Sequence, residues 1–233
     1  MAYTTIDDPS AYFKVQLYTG DGNASKAITF DDTDTNMQPD FVWIKRRDYA
    51  DSNFVYDSVR FDGSNAYWLQ TNNTNAQGSD RPLTAFGSDG FTIGSNNSAL
   101  NGNTNTYVAW NWKEDATAGC DIVSYTGNGN ADGIFVYTGF KPAWLLYRRS
   151  DDSTGRNWQI YDNKRSTFNE LNKRLRADTS DAETTSTGID FTSNGFKLRT
   201  SDGNYNASGA KYIYMTFAES PFVNSNGIPT NAR

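Results

Sequence analysis

Most of this chain's pattern is written twice. Tyr18-Thr19-Gly20, followed by Gly22-Asn23, returns as Tyr125-Thr126-Gly127 followed by Gly129-Asn130. Pro39 with Phe41 to Arg46 returns as Pro142 with Trp144 to Arg149, and Tyr56-Asp57 with Arg60 returns as Tyr161-Asp162 with Arg165. Ser88-Asp89-Gly90-Phe91 matches Ser193-Asn194-Gly195-Phe196, and Tyr107 to Glu114 matches Tyr212 to Glu219. The offset of about 105 residues is too long for a solenoid repeat and suits a duplicated small domain. A residue kept in both copies is a better candidate for building the fold than for doing one chemical job.

Each copy reads as short strands separated by Gly, Asn, Asp and Ser clusters. In the first copy the expected strands lie near 12–18, 27–30, 41–46, 54–59, 67–71, 83–86, 91–94 and 107–113. In the second they lie near 121–125, 134–137, 144–149, 158–162, 173–176, 189–191, 196–199 and 212–218. Aromatic residues make up 15% of the chain and supply core area despite its polar average. In Tyr107 to Trp112 alternation puts Val108, Trp110 and Trp112 on one face, and Tyr107, Ala109 and Asn111 on the other. Phe168, Leu171 and Leu175 stand at helical spacing, yet the repeat aligns Leu175 with Leu69 of a strand, so a strand is expected there too, with a single helical turn at Phe168–Leu171 as the alternative. The fold class is therefore all-β: two tandem homologous antiparallel β-sandwich units, jelly-roll-like, with extended terminal arms. The expected bounds are an arm at 1–14, a first unit at 15–114, a linker at 115–120, a second unit at 121–220 and an arm at 221–233.

Charge and rare residues narrow the chemistry. Lys and Arg number 21 against 27 Asp and Glu, a net charge of -6 that disfavours nucleic acid and anionic membranes. Arg46-Arg47, Arg148-Arg149 and the stretch from Lys164 to Arg176 are the local basic clusters, read as solvated strand faces. A single cysteine, Cys120, excludes an intrachain disulfide, and the start Met1 to Asp8 has no signal-peptide pattern. Expression in a cytoplasm as a soluble protein follows as an expectation. With no histidine at all, Ser-His-Asp and Cys-His catalysis and His-ligated zinc are unavailable.

The remaining chemistries favour structural roles. Asp57 and Asp162 suggest the paired carboxylates of a glycan hydrolase, but each is part of the repeat and precedes an Arg three residues on, so a clasp at a strand end is expected. Glu114 and Glu219 are duplicated in the same way. The acidic runs at 20–23, 31–34 and 151–153 lack calcium-loop spacing and read as turns; no metal or cofactor is expected. Thr126 to Asn130 lacks the ending of a phosphate loop and reads as a hairpin turn. Aromatics shared by the copies (Phe41/Trp144, Phe86/Phe191, Phe91/Phe196, Trp112/Phe217) are assigned to the core. Those unique to one copy, namely Tyr49, Tyr67, Trp68, Trp158 and Tyr205, are the candidate binding residues, with packing the competing role.

The residues from Ala2 to Phe13, the Tyr-Thr-Gly-x-Gly-Asn turns, Gly139 to Trp144, Ile160 to Arg165, Ser193 to Arg199, Tyr107 to Lys113 and Phe222 to Arg233 resemble a repeat family in structural proteins of tailed bacteriophages, especially of marine cyanobacteria. The resemblance spans essentially the whole chain. It implies a non-enzymatic virion protein, complete in itself and expected to assemble with other virion proteins and with copies of itself, by analogy as a trimer. The favoured role is tail- or fibre-associated attachment to a host-surface glycan or protein. The alternatives are a capsid decoration protein clamping its neighbours through the terminal arms, and a carboxylate-dependent glycan hydrolase.

Overall fold

The structure, a computed structural model, describes residues 8–30, 35–152 and 156–219. Residues 1–7 of the arm expected at 1–14, the whole arm expected at 221–233 and the acidic run at 31–34 lie outside the described residues. The chain divides into two units. One comprises Asp8–Asn72 and Gln77–Glu114; the other comprises Asp115 onward together with Asn73–Ala76.

The first unit contains β1 (Phe13–Thr19), β2 (Lys26–Thr29), β3 (Phe41–Arg46), β4 (Phe54–Asp57), β5 (Ala66–Gln70), β6 (Gly78–Gly87), β7 (Gly90–Ile93) and β8 (Thr106–Trp112). Every pairing is antiparallel, and the order across the sheet is β1-β8-β3-β4-β5-β6-β7-β2. The second unit repeats this with β9 (Cys120–Thr126), β10 (Phe135–Tyr137), β11 (Pro142–Arg149), β12 (Gln159–Asp162), β13 (Leu171–Arg176), β14 (Thr184–Thr192), β15 (Gly195–Leu198) and β16 (Lys211–Ala218). Its order, β9-β16-β11-β12-β13-β14-β15-β10, is the same order strand for strand. The helical spacing at Phe168 to Leu175 ends in a strand, as the repeat predicts.

Each sheet folds over at its fifth strand, β5 or β13, which pairs with both layers and is bulged. The core lies between the layers. Val42, Ile44, Tyr56 and Ala109 of one layer meet Ile28, Leu83, Phe91 and Ile93 of the other. Leu145, Tyr147, Tyr161 and Tyr214 likewise meet Val136, Ile189, Phe196 and Leu198. On β8 the buried set is Tyr107, Ala109 and Asn111, because these face the core layer. Val108, Trp110 and Trp112 look outward and are half-buried. Trp112 and its counterpart Phe217 therefore lie on the outer face, Trp144 is also only half-covered, and Phe41, Phe91, Phe191 and Phe196 are buried as expected.

Phe13 and Lys14 fall both in the arm expected at 1–14 and in the strand expected at 12–18; they open β1, pairing with Trp112 and Asn111. The linker is a closed turn: Asp115 and Cys120 exchange both backbone hydrogen bonds, and the Asp115 carboxylate accepts from the Thr117 amide at 2.7 Å.

The repeated Gly-Asn turns owe their duplication to one latch. Asn101 Nδ2 donates to Asp21 Oδ1 and to the Asn23 carbonyl, both at 2.9 Å, while its Oδ1 accepts from the Asp21 amide. Asn206 makes the same three bonds to Asn128 and Asn130. A Cβ at Gly20 would stand 2.2 Å from the Gly102 carbonyl oxygen, and one at Gly127 equally close to that of Ala207, so only glycine fits beneath the latch. Tyr107 and Tyr212 complete it, each accepting from a backbone amide and donating to a carbonyl of the same loop.

Candidate functional site

The duplicated carboxylates are clasps. Asp57 caps a 3-10 turn at Ser58–Arg60 by accepting from the Arg60 amide at 2.9 Å, and its other oxygen takes Arg60 Nε at 2.7 Å. Asp162 binds the Arg165 amide at 2.8 Å and Arg165 Nε at 2.6 Å. Burial pushes the Asp162 carboxyl up, but the hydrogen bonds and charge of Arg165 outweigh it and leave the group below its ordinary value. Each carboxylate is neutralised within its own unit. Of the acidic turns, Asp21 holds Asn23, Asn101 and Lys26, and Asp151 and Asp152 hold Arg149, with Arg156 also on Asp152.

The residues that follow the clasps diverge. Phe61 follows Arg60 and meets Phe86 edge-on, with ring centroids 5.7 Å apart. Ser166 follows Arg165, and its hydroxyl turns inward to accept from the Asn172 and Lys173 amides. Phe191, the counterpart of Phe86, thereby loses its aromatic cover on that side. The result is a cleft of about 320 Å³ floored by Leu171 and Phe191. Its rim carries Lys141, Asn163, Lys164, Asn169 and Glu219. Asn169 is fixed by a two-way bond with the Phe191 backbone, at 2.6 and 3.1 Å. Glu219 receives Lys141 Nζ at 2.7 Å and Asn163 Nδ2 at 3.0 Å. Phe168 stands on the lip with 83% of its surface exposed, where the first unit has Gly63. An open aromatic face beside fixed amide, ammonium and carboxylate groups suits a saccharide, whose C–H face stacks while its hydroxyls are read at the edge.

The sequence-derived candidates do not gather here. Tyr49 is 66% exposed, with Arg46 over its ring at 4.9 Å. Tyr67 and Trp68 are half-buried on β5; Trp68 Nε1 donates to Asp80 at 2.8 Å, and Arg81 lies over its ring. Trp158 is buried, its ring under the guanidinium of Arg148 at 5.6 Å. Tyr205 is buried too, hydrogen-bonded to Tyr161 and Ser186. Neither of these two offers a free ring face. The reading of Arg148-Arg149 as a solvated face is corrected at Arg148, which is fully buried and donates to the carbonyls of Asn73 and Asn75 in the same unit. Sequence reasoning missed Phe168, and also Phe135 and Tyr137 of the edge strand β10, which are 46% and 67% exposed.

Fold and site together define a duplicated antiparallel β-sandwich protein whose second copy carries an aromatic-lipped cleft. The family model described as "Domain of unknown function (DUF7483)" matches residues 8–122 and again 120–221, and the chain belongs to that family as a tandem pair of its domains. No curated protein and no solved structure matches it.

Proposed function

We propose that the chain is a non-enzymatic structural protein of a tailed-bacteriophage particle, serving at the tail or fibre as an attachment component that recognises a surface saccharide. The observation that carries this reading is the Phe168 cleft of the second copy: an exposed ring beside oriented polar groups, at the place where Phe61 packs on Phe86 in the first copy. The clasped state of Asp57 and Asp162 adds support, since a carboxylate tied to its own arginine is poorly placed to donate or abstract a proton. The virion setting rests on the family resemblance, and it brings other virion proteins and further copies of the chain as partners.

The test is binding of the purified full chain to glycans extracted from host-cell surfaces, with and without Phe168→Ala. The reading predicts saturable binding that weakens by about ten-fold in the variant. Absence of glycan binding together with tight binding to empty heads would replace attachment by capsid decoration. Release of sugar from a polysaccharide that stops with Asp162→Asn would replace it by hydrolysis.

A further inference from the structure

A second hollow in the second unit has different chemistry. Arg174, on β13, stands in the place of Trp68: Leu175 pairs with Ile160 as Leu69 pairs with Val55, and Arg174 and Trp68 precede those leucines. In the first unit the indole of Trp68 occupies that place. In the second a hollow of about 360 Å³ opens beside Arg174, walled by Thr185, Thr187, Thr200, Asp202 and Asn204.

The guanidinium is surrounded by hydroxyls. Its Nε donates to Thr184 Oγ1 at 3.2 Å, and its Nη1 reaches Tyr205 Oη at 3.4 Å. It forms no ion pair among the described residues, whereas Arg60, Arg165, Arg176 and Arg199 each hold a carboxylate. The floor is set: Tyr205 Oη is hydrogen-bonded to Tyr161 Oη at 2.6 Å and to Ser186 Oγ. Burial and the neighbouring Tyr205 push the Tyr161 hydroxyl far above its ordinary value, so it stays protonated. Asp202 also lines the hollow, with one oxygen held by the Asn204 amide and side chain at 2.8 Å.

A half-buried guanidinium held only by neutral hydroxyls has given up water without gaining a counter-charge among the described residues, and its planar fork fits a carboxylate. Asp202 repels a multiply charged anion such as phosphate, yet accepts hydrogen bonds from hydroxyls. The ligand these walls select has one negative charge and several hydroxyl groups. We propose that this hollow binds an acidic sugar residue of the hexuronate class, with its carboxylate on Arg174 and its ring hydroxyls on Asp202, Asn204 and the threonines. The inference does not depend on Phe168.

The experiment titrates the full chain with glucuronate, glucose, acetate and inorganic sulfate, following arginine Nε–H signals by NMR. Glucuronate should shift the Arg174 signal saturably, with glucose and acetate each at least about ten-fold weaker. Arg174→Gln should weaken glucuronate by about ten-fold or more at unchanged melting temperature, and Arg174→Lys by less. Phe168→Ala should leave this binding intact, which separates it from the cleft. Acetate or sulfate binding as well as glucuronate would overturn the sugar assignment, as would equal binding of glucose. Should Arg174→Gln fail to fold, the exposed Thr187→Val replaces it; a folded variant of either kind with unchanged glucuronate affinity overturns the proposal.

Discussion

Phe61 and Ser166 occupy the same place after the same Asp–Arg clasp, and Trp68 and Arg174 the same place on the strand where the sheet folds over. In the first unit both places hold aromatic rings, one against Phe86 and one bonded to Asp80. In the second both hold polar side chains, and a hollow lies beside each. Strand order, clasps, latches and core tyrosines are meanwhile kept. Duplication lets one copy keep its packing while the other trades apolar contact for open, polar-lined space. The comparison teaches that the scaffold tolerates large-to-polar changes at its rim, provided the clasp and the latch stay.

Breaking the latches should have the largest effect. Asn101→Ala and Asn206→Ala each remove three hydrogen bonds from a buried turn and should cost about 3 kcal/mol, read as a fall in denaturation midpoint. Similar losses are expected in the two copies; a loss confined to one would end the claim that the latches are equivalent. Next comes Phe61→Ser, which makes the first unit imitate the second. It should cost about 2 kcal/mol and open a hollow over Phe86, detectable as a new binding site for small aromatic probes. Its converse, Ser166→Phe, should close the cleft and abolish saccharide binding there.

A smaller difference is set by pH. The first latch uses the carboxylate of Asp21, which the Asn23 amide and Asn101 hold well below its ordinary value; the second uses the neutral Asn128. A depressed carboxyl stabilises the fold above its unfolded-state value and loses that contribution as pH falls through the folded-state value. Melting followed from about pH 6 to about pH 2 should therefore show Asp21→Asn losing less stability on acidification than the unaltered chain. Identical pH profiles would mean that the latch carboxylate is not felt. The smallest structural effect belongs to Phe168→Ala, which should change stability by no more than about 0.5 kcal/mol while weakening saccharide binding.

The repeat made the architecture legible, because Gly-Asn turns, clasps and paired tyrosines are local chemistry written out twice. It also assigned residues 173–176 to a strand against the helical spacing of Phe168, Leu171 and Leu175, and the strand in fact opens at Leu171. The site was less legible. Phe168 was absorbed into the periodicity of Leu171 and Leu175, although its chain position answers to the exposed Gly63 of the first copy. The stronger signal was subtractive: an aromatic missing at Ser166 while its partner Phe191 remains. Trp158 and Tyr205 misled for a related reason. An aromatic unique to one copy can serve a packing change unique to that copy, as Trp158 does under Arg148 and Tyr205 does with Tyr161 and Ser186.

In each unit the first strand pairs with the last: Phe13 lies across from Trp112, and Cys120 from Phe217. A module whose entrance and exit share one rung begins and ends at a single place on its sheet. It can be copied head to tail by a turn as short as Asp115–Cys120 without rethreading any strand, and it should accept new termini at a loop tip once its native ends are joined.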